Sequence, residues 1–121
     1  MTKQVEKLEG QDHFIVQRYI ENPMLIWNLK FDLRIYVLLA GVNPLRIFLF
    51  KEGLARLATH EYKTPDSANI NNQFMHLTNY AINRQESAFK QPVNIEEQSD
   101  SHKMSMKFAF ELLRKQGVNT E

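Results

Sequence analysis

Hydrophobic and polar positions alternate most clearly between residues 30 and 39. In an extended strand successive side chains point to opposite faces, so the odd-numbered positions form one apolar face that needs a core beneath it. The members of that face are Phe31, Leu33, Ile35, Val37 and Leu39. Lys30, Asp32 and Arg34 fall together on the other face, at one end of the same strand. The pattern predicts a central strand with one charged surface.

Shorter apolar runs on both sides of this segment predict further strands, because they are rich in β-branched and aromatic residues. The predicted strands are residues 14–20, 45–50 and 54–58. The predicted connections are an apolar loop at residues 24–28, a turn at 41–44 and a second turn at Glu52-Gly53. Strands joined by such tight turns predict an antiparallel meander, with residues 45–50 returning as the hairpin partner of the central strand.

The second half of the chain is more polar. Residues 61–73 predict a loop, and residues 85–100 predict an irregular, poorly ordered segment. Ser99, Asp100 and Ser101 can cap a helix over residues 103–116, which Gly117 ends. In that helix Met106, Phe110 and Leu113 form an apolar stripe. The predicted fold class is α+β: a mostly antiparallel sheet with a C-terminal amphipathic helix.

Composition narrows the classes of protein and of site. At 121 residues the chain is one domain or a piece of one, and 43% hydrophobic residues with eight Phe suffice for a core. The net charge of +1 predicts no nucleic-acid partner and no anionic membrane. The absence of Cys excludes disulfides and thiolate metal sites. With no apolar signal core and no apolar run of membrane-spanning length, we expect a soluble, cytoplasmic protein.

The charged face of the central strand allows two interpretations. Lys30 and Arg34 can meet phosphates, while Asp32 accepts from hydroxyl groups or orients its basic neighbours. The alternative is a surface ladder of ion pairs, which alternating charges on an open sheet often form. Arg56 can join this face from a neighbouring strand, or it can be an ordinary exposed arginine on an edge strand.

Three hydrogen-bonding side chains follow the polar loop within four positions: His76, Thr78 and Asn79. They can belong to a site, or they can mark a turn or a helix start, where Thr and Asn are favoured. The chain has no Gly-rich phosphate loop, no Ser/His/Asp order and no HExxH motif.

Five short segments occur in a definite order along the chain. They are Val16–Ile20, Lys30–Val37, Pro44–Ile47, Glu52–Arg56 and His76–Tyr80. In this order they resemble the tubulin–tyrosine ligase-like family, whose catalytic domain is of the ATP-grasp type. The resemblance runs from about residue 14 to residue 83 and on through the helix behind it. It is closer to the polyglutamylases and polyglycylases, which elongate amino-acid chains, than to the tyrosine ligase itself.

The resemblance implies a reaction and a set of roles. ATP would form an acyl phosphate on a protein carboxylate, and the amine of an amino acid would attack it to give an amide on a tubulin tail. The implied adenine contacts are Gln17, Arg18, Tyr19 and Ile20. The implied further ATP contacts are Lys30, Asp32, His76, Thr78 and Asn79, the last three in a segment that closes over nucleotide and substrate. Arg34 and Arg56 correspond to catalytic cations near the transferred phosphate.

The resemblance also implies how the chain is organised. Residues 1–13 would be a polar lead-in, and residues 14–121 a partial ATP-grasp catalytic domain. The family's N-terminal lobe and its C-terminal metal-binding strands would lie outside this chain, together with the ligands of Mg²⁺. We therefore expect a central fragment with little or no ligase activity by itself. The alternative is a non-catalytic remnant that binds microtubules or another partner.

The implied partners are tubulin or microtubules and a free amino acid, with glutamate foremost. The implied location is the cytoplasm and the cytoskeleton, extending to the cilium or axoneme. The sequence shows no targeting motif for the cilium.

Overall fold

A computed structural model describes residues 17–92 and 100–120 of the chain. Within these residues an antiparallel sheet has the strand order β1-β2-β3-β4. The strands are β1 (Leu25–Ile26), β2 (Leu29–Val42), β3 (Leu45–Glu61) and β4 (Lys103–Ser105). The helices are α1 (Gln73–His76), α2 (Tyr80–Asn83) and α3 (Met106–Lys115). The predicted mostly antiparallel sheet is confirmed.

The centre of the sheet is the long hairpin of β2 and β3. It confirms the predicted central strand and its antiparallel return. The predicted turn at Glu52-Gly53 is wrong, because β3 continues through it without interruption. A Cβ atom on Gly53 would lie 2.6 Å from the carbonyl oxygen of Arg34 and 3.1 Å from the sulfur of Met106. Glycine is needed there for close packing of neighbouring backbone and helix, not for a change of direction.

The segment before β2 differs from the prediction. Residues 14–16 of the predicted first strand lie outside the described residues, and residues 17–20 form no regular structure. The predicted loop at 24–28 instead contains β1, which pairs with the start of β2. Trp27 and Asn28 join the two strands with φ angles of 53° and 62°. Two successive residues with positive φ are typical of a two-residue hairpin turn.

The core lies between α3 and the end of the hairpin at which β2 begins and β3 ends. Its buried side chains are Ile26, Ala55, Leu57, Met104, Ala109 and Leu113. The α3 helix begins at Met106, later than predicted, because residues 103–105 pair with β3 as β4. Its cap is Ser105, whose hydroxyl accepts from the backbone N–H of Phe108 at 3.2 Å. Ser101 is therefore not the cap; it bonds to the backbone of Lys103 instead.

The apolar face predicted for the central strand is only partly buried. Phe31 and Leu33 pack against the core, but Ile35, Val37 and Leu39 are 54%, 61% and 56% exposed. The reason is that β4 pairs only with residues 54–56 of β3, so the far half of the hairpin has no covering layer among the described residues. We call this far half, residues 35–50, the distal ribbon. Both of its faces carry exposed apolar side chains.

The polar connection is irregular over residues 62–72, which confirms the predicted loop. The second predicted irregular segment, 85–100, is irregular where the structure describes it, and residues 93–99 of it lie outside the described part. The segment from His76 forms the end of α1 and the start of α2, as the turn-or-helix alternative predicts. In the described ranges no helix has the length and apolar character to cross a membrane.

Candidate nucleotide-binding site

Three charged side chains from the two central strands form one cluster. The Arg56 guanidinium donates two hydrogen bonds to the Asp32 carboxylate, Nε to Oδ1 at 2.9 Å and Nη2 to Oδ2 at 2.7 Å. Arg34 Nη2 lies 3.0 Å from the same Oδ2. The bidentate contact with Arg56 fixes the plane of the Asp32 carboxylate, and Arg34 adds a second cation beside that carboxylate. We call these three residues the arginine–aspartate cluster.

The strand register explains why these residues meet. Asp32 stands directly opposite Arg56 in the β2–β3 ladder, and directly opposed residues share one face of a sheet. Arg34 follows two positions later on the same strand, so it points to the same side. The prediction that Arg56 can join the charged face is confirmed, since it contacts Asp32 directly.

Exposure separates the two arginines of the cluster. The Arg56 side chain is 17% exposed, whereas the Arg34 side chain is 49% exposed. One carboxylate serves two guanidinium groups, so the cluster carries a net charge of about +1. The ion pairs of the ladder interpretation are therefore present, but they leave uncompensated positive charge. A phosphate or carboxylate group can bind to the donors of Arg34 that remain accessible.

The two arginines border a cavity of about 360 Å³. Its other polar lining residues are Thr78, His102 and Lys103, and its aromatic ones are Tyr36, Tyr80 and Phe89. The structure thus brings together three residues that the sequence placed at a site: Arg34, Arg56 and Thr78. A surface ladder of ion pairs has no need of such a cavity, and this observation favours the ligand-binding interpretation.

His102 and Lys103 were not predicted as site residues. They enter the cavity wall because β4 pairs with the segment of β3 that contains Arg56. The Nδ1 atom of His102 accepts from the backbone N–H of Lys90 at 3.0 Å, and its ring stacks on Phe89 at 5.5 Å. Burial lowers the pKa of His102 below its ordinary value. The only local signal was a basic pair after a polar segment, which is too common to indicate a site.

Lys30 belongs to a second cluster, two positions before Asp32 on β2. Its Nζ donates to the Tyr19 hydroxyl at 3.2 Å and to the backbone carbonyl of His76 at 3.0 Å. The Tyr19 hydroxyl in turn lies 2.7 Å from Nδ1 of His76. Burial lowers the pKa of the Lys30 ammonium, and the nearby Tyr62 hydroxyl opposes part of that shift.

This second cluster lies beside a groove of about 690 Å³. The groove is lined by Lys30 and by all the residues predicted to contact adenine, which are Gln17, Arg18, Tyr19 and Ile20. Ile20 is 73% exposed, which makes its side chain available to an apolar ligand surface. Since Lys30 and Arg34 lie on the same strand, the groove and the cavity follow one another along β2.

Asn83 holds the segment of residues 77–79, which contains Thr78 of the cavity wall. The sequence analysis did not predict Asn83 as a residue of the site. Its side chain is fully buried. Its Oδ1 accepts from the backbone N–H and the hydroxyl of Thr59, and its Nδ2 donates to the carbonyls of Leu77 and Asn79. Asn83 thereby links the residues directly before and after Thr78 to Thr59 of β3. Asn79 itself is exposed at the start of α2 and lines neither the cavity nor the groove.

Comparison with known proteins decides the family. The sequence profile of the Tubulin-tyrosine ligase family matches residues 1–121. The chain belongs to this family. The resemblance noted from the five ordered segments is therefore confirmed.

Its relatives include several tubulin polyglutamylases. The chain is 47% identical over 117 residues to a probable beta-tubulin polyglutamylase of Tetrahymena thermophila, covering 97% of the chain and 10% of that protein. It is 44% identical over 114 residues to tubulin polyglutamylase TTLL7 of Xenopus tropicalis, covering 94% and 12%. It is 43% identical over 110 residues to tubulin polyglutamylase TTLL5 of Mus musculus, covering 91% and 8%. The chain spans about a tenth of the length of these relatives.

Proposed function

We propose that this chain supplies the nucleotide- and phosphate-binding surface of an ATP-dependent tubulin polyglutamylase. Two things support the proposal: membership of the family and similarity to polyglutamylases over more than nine-tenths of the chain. The observation that carries it is the arginine–aspartate cluster on the wall of a cavity, next to a groove lined by the residues predicted for adenine.

The proposed chemistry has two steps. A carboxylate oxygen of the tubulin tail attacks the γ-phosphorus of ATP, and ADP leaves. The amine of free glutamate then attacks the acyl carbon, phosphate leaves with the shared oxygen, and a proton is lost from nitrogen. Negative charge builds up on the transferred group, where fixed cations lower the barrier. Arg34 and Arg56 are the proposed catalytic cations, and Asp32 holds their guanidinium groups in place.

The proposed nucleotide contacts divide between the two concave surfaces. Gln17, Arg18, Tyr19 and Ile20 would line the adenine, and Lys30 would meet the phosphates between the groove and the cavity. Thr78 offers a hydroxyl on the cavity wall. Asp32, His76 and Asn79 stay as predictions of nucleotide contact from the family resemblance.

Magnesium does not fit the residues described here. Across residues 17–92 and 100–120 no group of three or more His, Asp or Glu side chains could hold a metal ion. The one carboxylate of the cluster, Asp32, has both oxygens engaged by arginine nitrogens. We therefore propose no step through a metal bound to these residues.

The remaining proposals concern the whole protein. Residues 14–121 would be part of an ATP-grasp catalytic domain, with the metal ligands outside the residues described here. Tubulin and free glutamate would be its substrates and the cytoskeleton its location, following the named activity of the relatives. On this proposal the 121-residue chain binds nucleotide but performs little or no ligation by itself.

Isothermal titration of the 121-residue chain with MgATP tests the proposal. We expect saturable binding, weakened about tenfold by Arg34→Ala, since one charge-assisted contact is worth roughly that factor. Arg46→Ala is the matched control, because Arg46 is an exposed arginine on the distal ribbon and lines neither the cavity nor the groove. Absence of binding, or equal losses in both variants, would favour the remnant interpretation.

A further inference from the structure

The Lys30 ammonium is held by a chain of hydrogen bonds that begins in the polar loop. The carbonyl oxygen of Asn69 lies 3.1 Å from Nε2 of His76. The other ring nitrogen, Nδ1, lies 2.7 Å from the Tyr19 hydroxyl, and that hydroxyl lies 3.2 Å from Lys30 Nζ. The loop, α1, the groove wall and β2 are therefore linked by hydrogen bonds through one histidine.

The partners determine where the imidazole proton lies. A carbonyl oxygen only accepts, so Nε2 of His76 must carry the proton that it donates to Asn69. In the neutral ring Nδ1 is then an acceptor, and the Tyr19 hydroxyl must donate to it. The Tyr19 oxygen is left to accept from Lys30. One proton on Nε2 satisfies every contact in the chain.

The same histidine holds the ammonium a second time. Its backbone carbonyl accepts from Lys30 Nζ at 3.0 Å. An ammonium group has three N–H donors. These two contacts use two of them and leave one for a ligand in the groove that Lys30 lines. His76 is buried, with 8% of its surface exposed, and both of its ring nitrogens are engaged.

We infer that His76 is a positioning residue, which aims the Lys30 ammonium at the nucleotide phosphates through Tyr19 and through its own carbonyl. This inference rests on the proposed function for the identity of the ligand. It assigns His76 a role different from the direct contact that the family resemblance implies. It also makes the polar loop part of the site, because Asn69 selects the tautomer that Tyr19 requires.

Two substitutions separate the ring contacts. The amide nitrogen of Gln reaches the position of Nε2, so His76→Gln can keep the bond to Asn69 but loses the acceptor for Tyr19. The amide oxygen of Asn lies near the position of Nδ1, so His76→Asn can keep that acceptor. We expect His76→Gln to weaken MgATP binding about fivefold, the effect of one hydrogen bond, and His76→Asn to restore most of it.

Tyr19→Phe removes the hydroxyl and keeps the ring, over which Lys30 Nζ lies at 4.4 Å from the centroid. It should match His76→Gln, and the double variant should lose no more than either one. His60→Gln is the matched control, because His60 is a half-buried histidine of β3 that hydrogen-bonds to Asn72, lies 3.5 Å from the Glu86 carboxylate and lines neither surface.

The deciding comparison uses Lys30→Met as the background. If His76 acts through Lys30, His76→Gln has no further effect on MgATP binding once the ammonium is gone. A fivefold loss that persists in that background would overturn the inference, since it would mark a general structural role. So would full affinity in both His76→Gln and Tyr19→Phe.

A second readout needs no ligand. Ring ¹⁵N chemical shifts of the neutral His76 imidazole should show its proton on Nε2. Lys30→Met with His76→Gln should destabilise the chain less than the sum of the single variants. The opposite tautomer, or strict additivity, would overturn the inference even if MgATP binds. If the wild-type chain binds no MgATP but shows this tautomer and this coupling, the proposed function fails and the positioning role stands.

Discussion

Replacing Asn83 by Ala is the most direct test of how the site segment is held. The Asn83 side chain has no exposed surface, and it is the only described link between Thr59 on β3 and the carbonyls of Leu77 and Asn79. The variant removes four hydrogen bonds at once. It leaves two donors on Thr59 and two carbonyl oxygens without that partner.

The magnitude follows from the number of contacts. A typical neutral hydrogen bond contributes about 0.5–1.5 kcal/mol net, so four of them predict a loss of about 2–6 kcal/mol in the free energy of unfolding. That is a large part of the roughly 5–15 kcal/mol that holds an ordinary domain together. Thr59→Val removes only the hydroxyl contact at 2.9 Å and should cost about 1 kcal/mol.

Urea unfolding followed by circular dichroism measures both losses. Asn71→Ala is the matched control, because Asn71 is exposed and should change the stability by less than about 0.5 kcal/mol. Asn83→Asp should be at least as harmful as Asn83→Ala, because it keeps the acceptor but aims a carboxylate at two carbonyl oxygens. A loss below about 1 kcal/mol for Asn83→Ala, or the same loss as for Asn71→Ala, would refute the reasoning.

Three further predictions concern charge, pH and exposed surface. Asp32→Asn should lower the free energy of unfolding by about 2–4 kcal/mol in the same urea assay, because it breaks the two-pronged contact to Arg56, which is mostly buried. Burial lowers the folded-state pKa of His102, so the unfolded chain binds more protons in the interval between that pKa and about 6.5. The free energy of unfolding should therefore fall as the pH drops through that interval. His102→Asn can still accept a hydrogen bond from the Lys90 N–H, and it should remove the part of this fall that comes from protonation of His102. Urea unfolding repeated at several pH values measures the difference. Changing Val37 and Leu49 together to Thr should raise solubility, measured by light scattering, with little loss of stability, because these opposed side chains on the distal ribbon are 61% and 67% exposed.

Each of these predictions has a contrasting outcome. Arg34→Gln should cost no more than about 1 kcal/mol, since its ion pair is half exposed, and a loss equal to that of Asp32→Asn would contradict the assigned geometry. For His102, the same acid sensitivity in the Asn variant would place the titrating group elsewhere. For the distal ribbon, unchanged scattering or a large loss of stability would show that these side chains are buried in solution.

The charged residues of the site could be predicted from the sequence, but several residues that line its cavity could not. Strand alternation placed Lys30, Asp32 and Arg34 on one face, because period-two geometry is a local property of the backbone. The alternation did not predict that Arg56 pairs with Asp32, only that it could, since the register of the ladder decides which residues face each other. His102 and Lys103 could not be assigned at all, because β4 comes to β3 from more than forty residues away.

The fold shows the same division. The central strand and its return were predictable from their apolar pattern and their turn. The predicted turn at Gly53 was wrong, because a glycine required by close packing looks the same in a sequence as one required by a turn. The β1–β2 hairpin was missed because Trp27-Asn28 is not a common turn pair, although the structure holds both residues at positive φ.

What the sequence determined by itself was therefore local: the strand periodicity, the charged face of β2 and the order of segments that marks the family. What only the tertiary structure decided was which side chains meet, namely Arg56 with Asp32, His76 with Tyr19 and Lys30, and Asn83 with Thr59. The physical reason is that these contacts depend on register and on long-range packing, and neither is encoded in the few residues around any one of them.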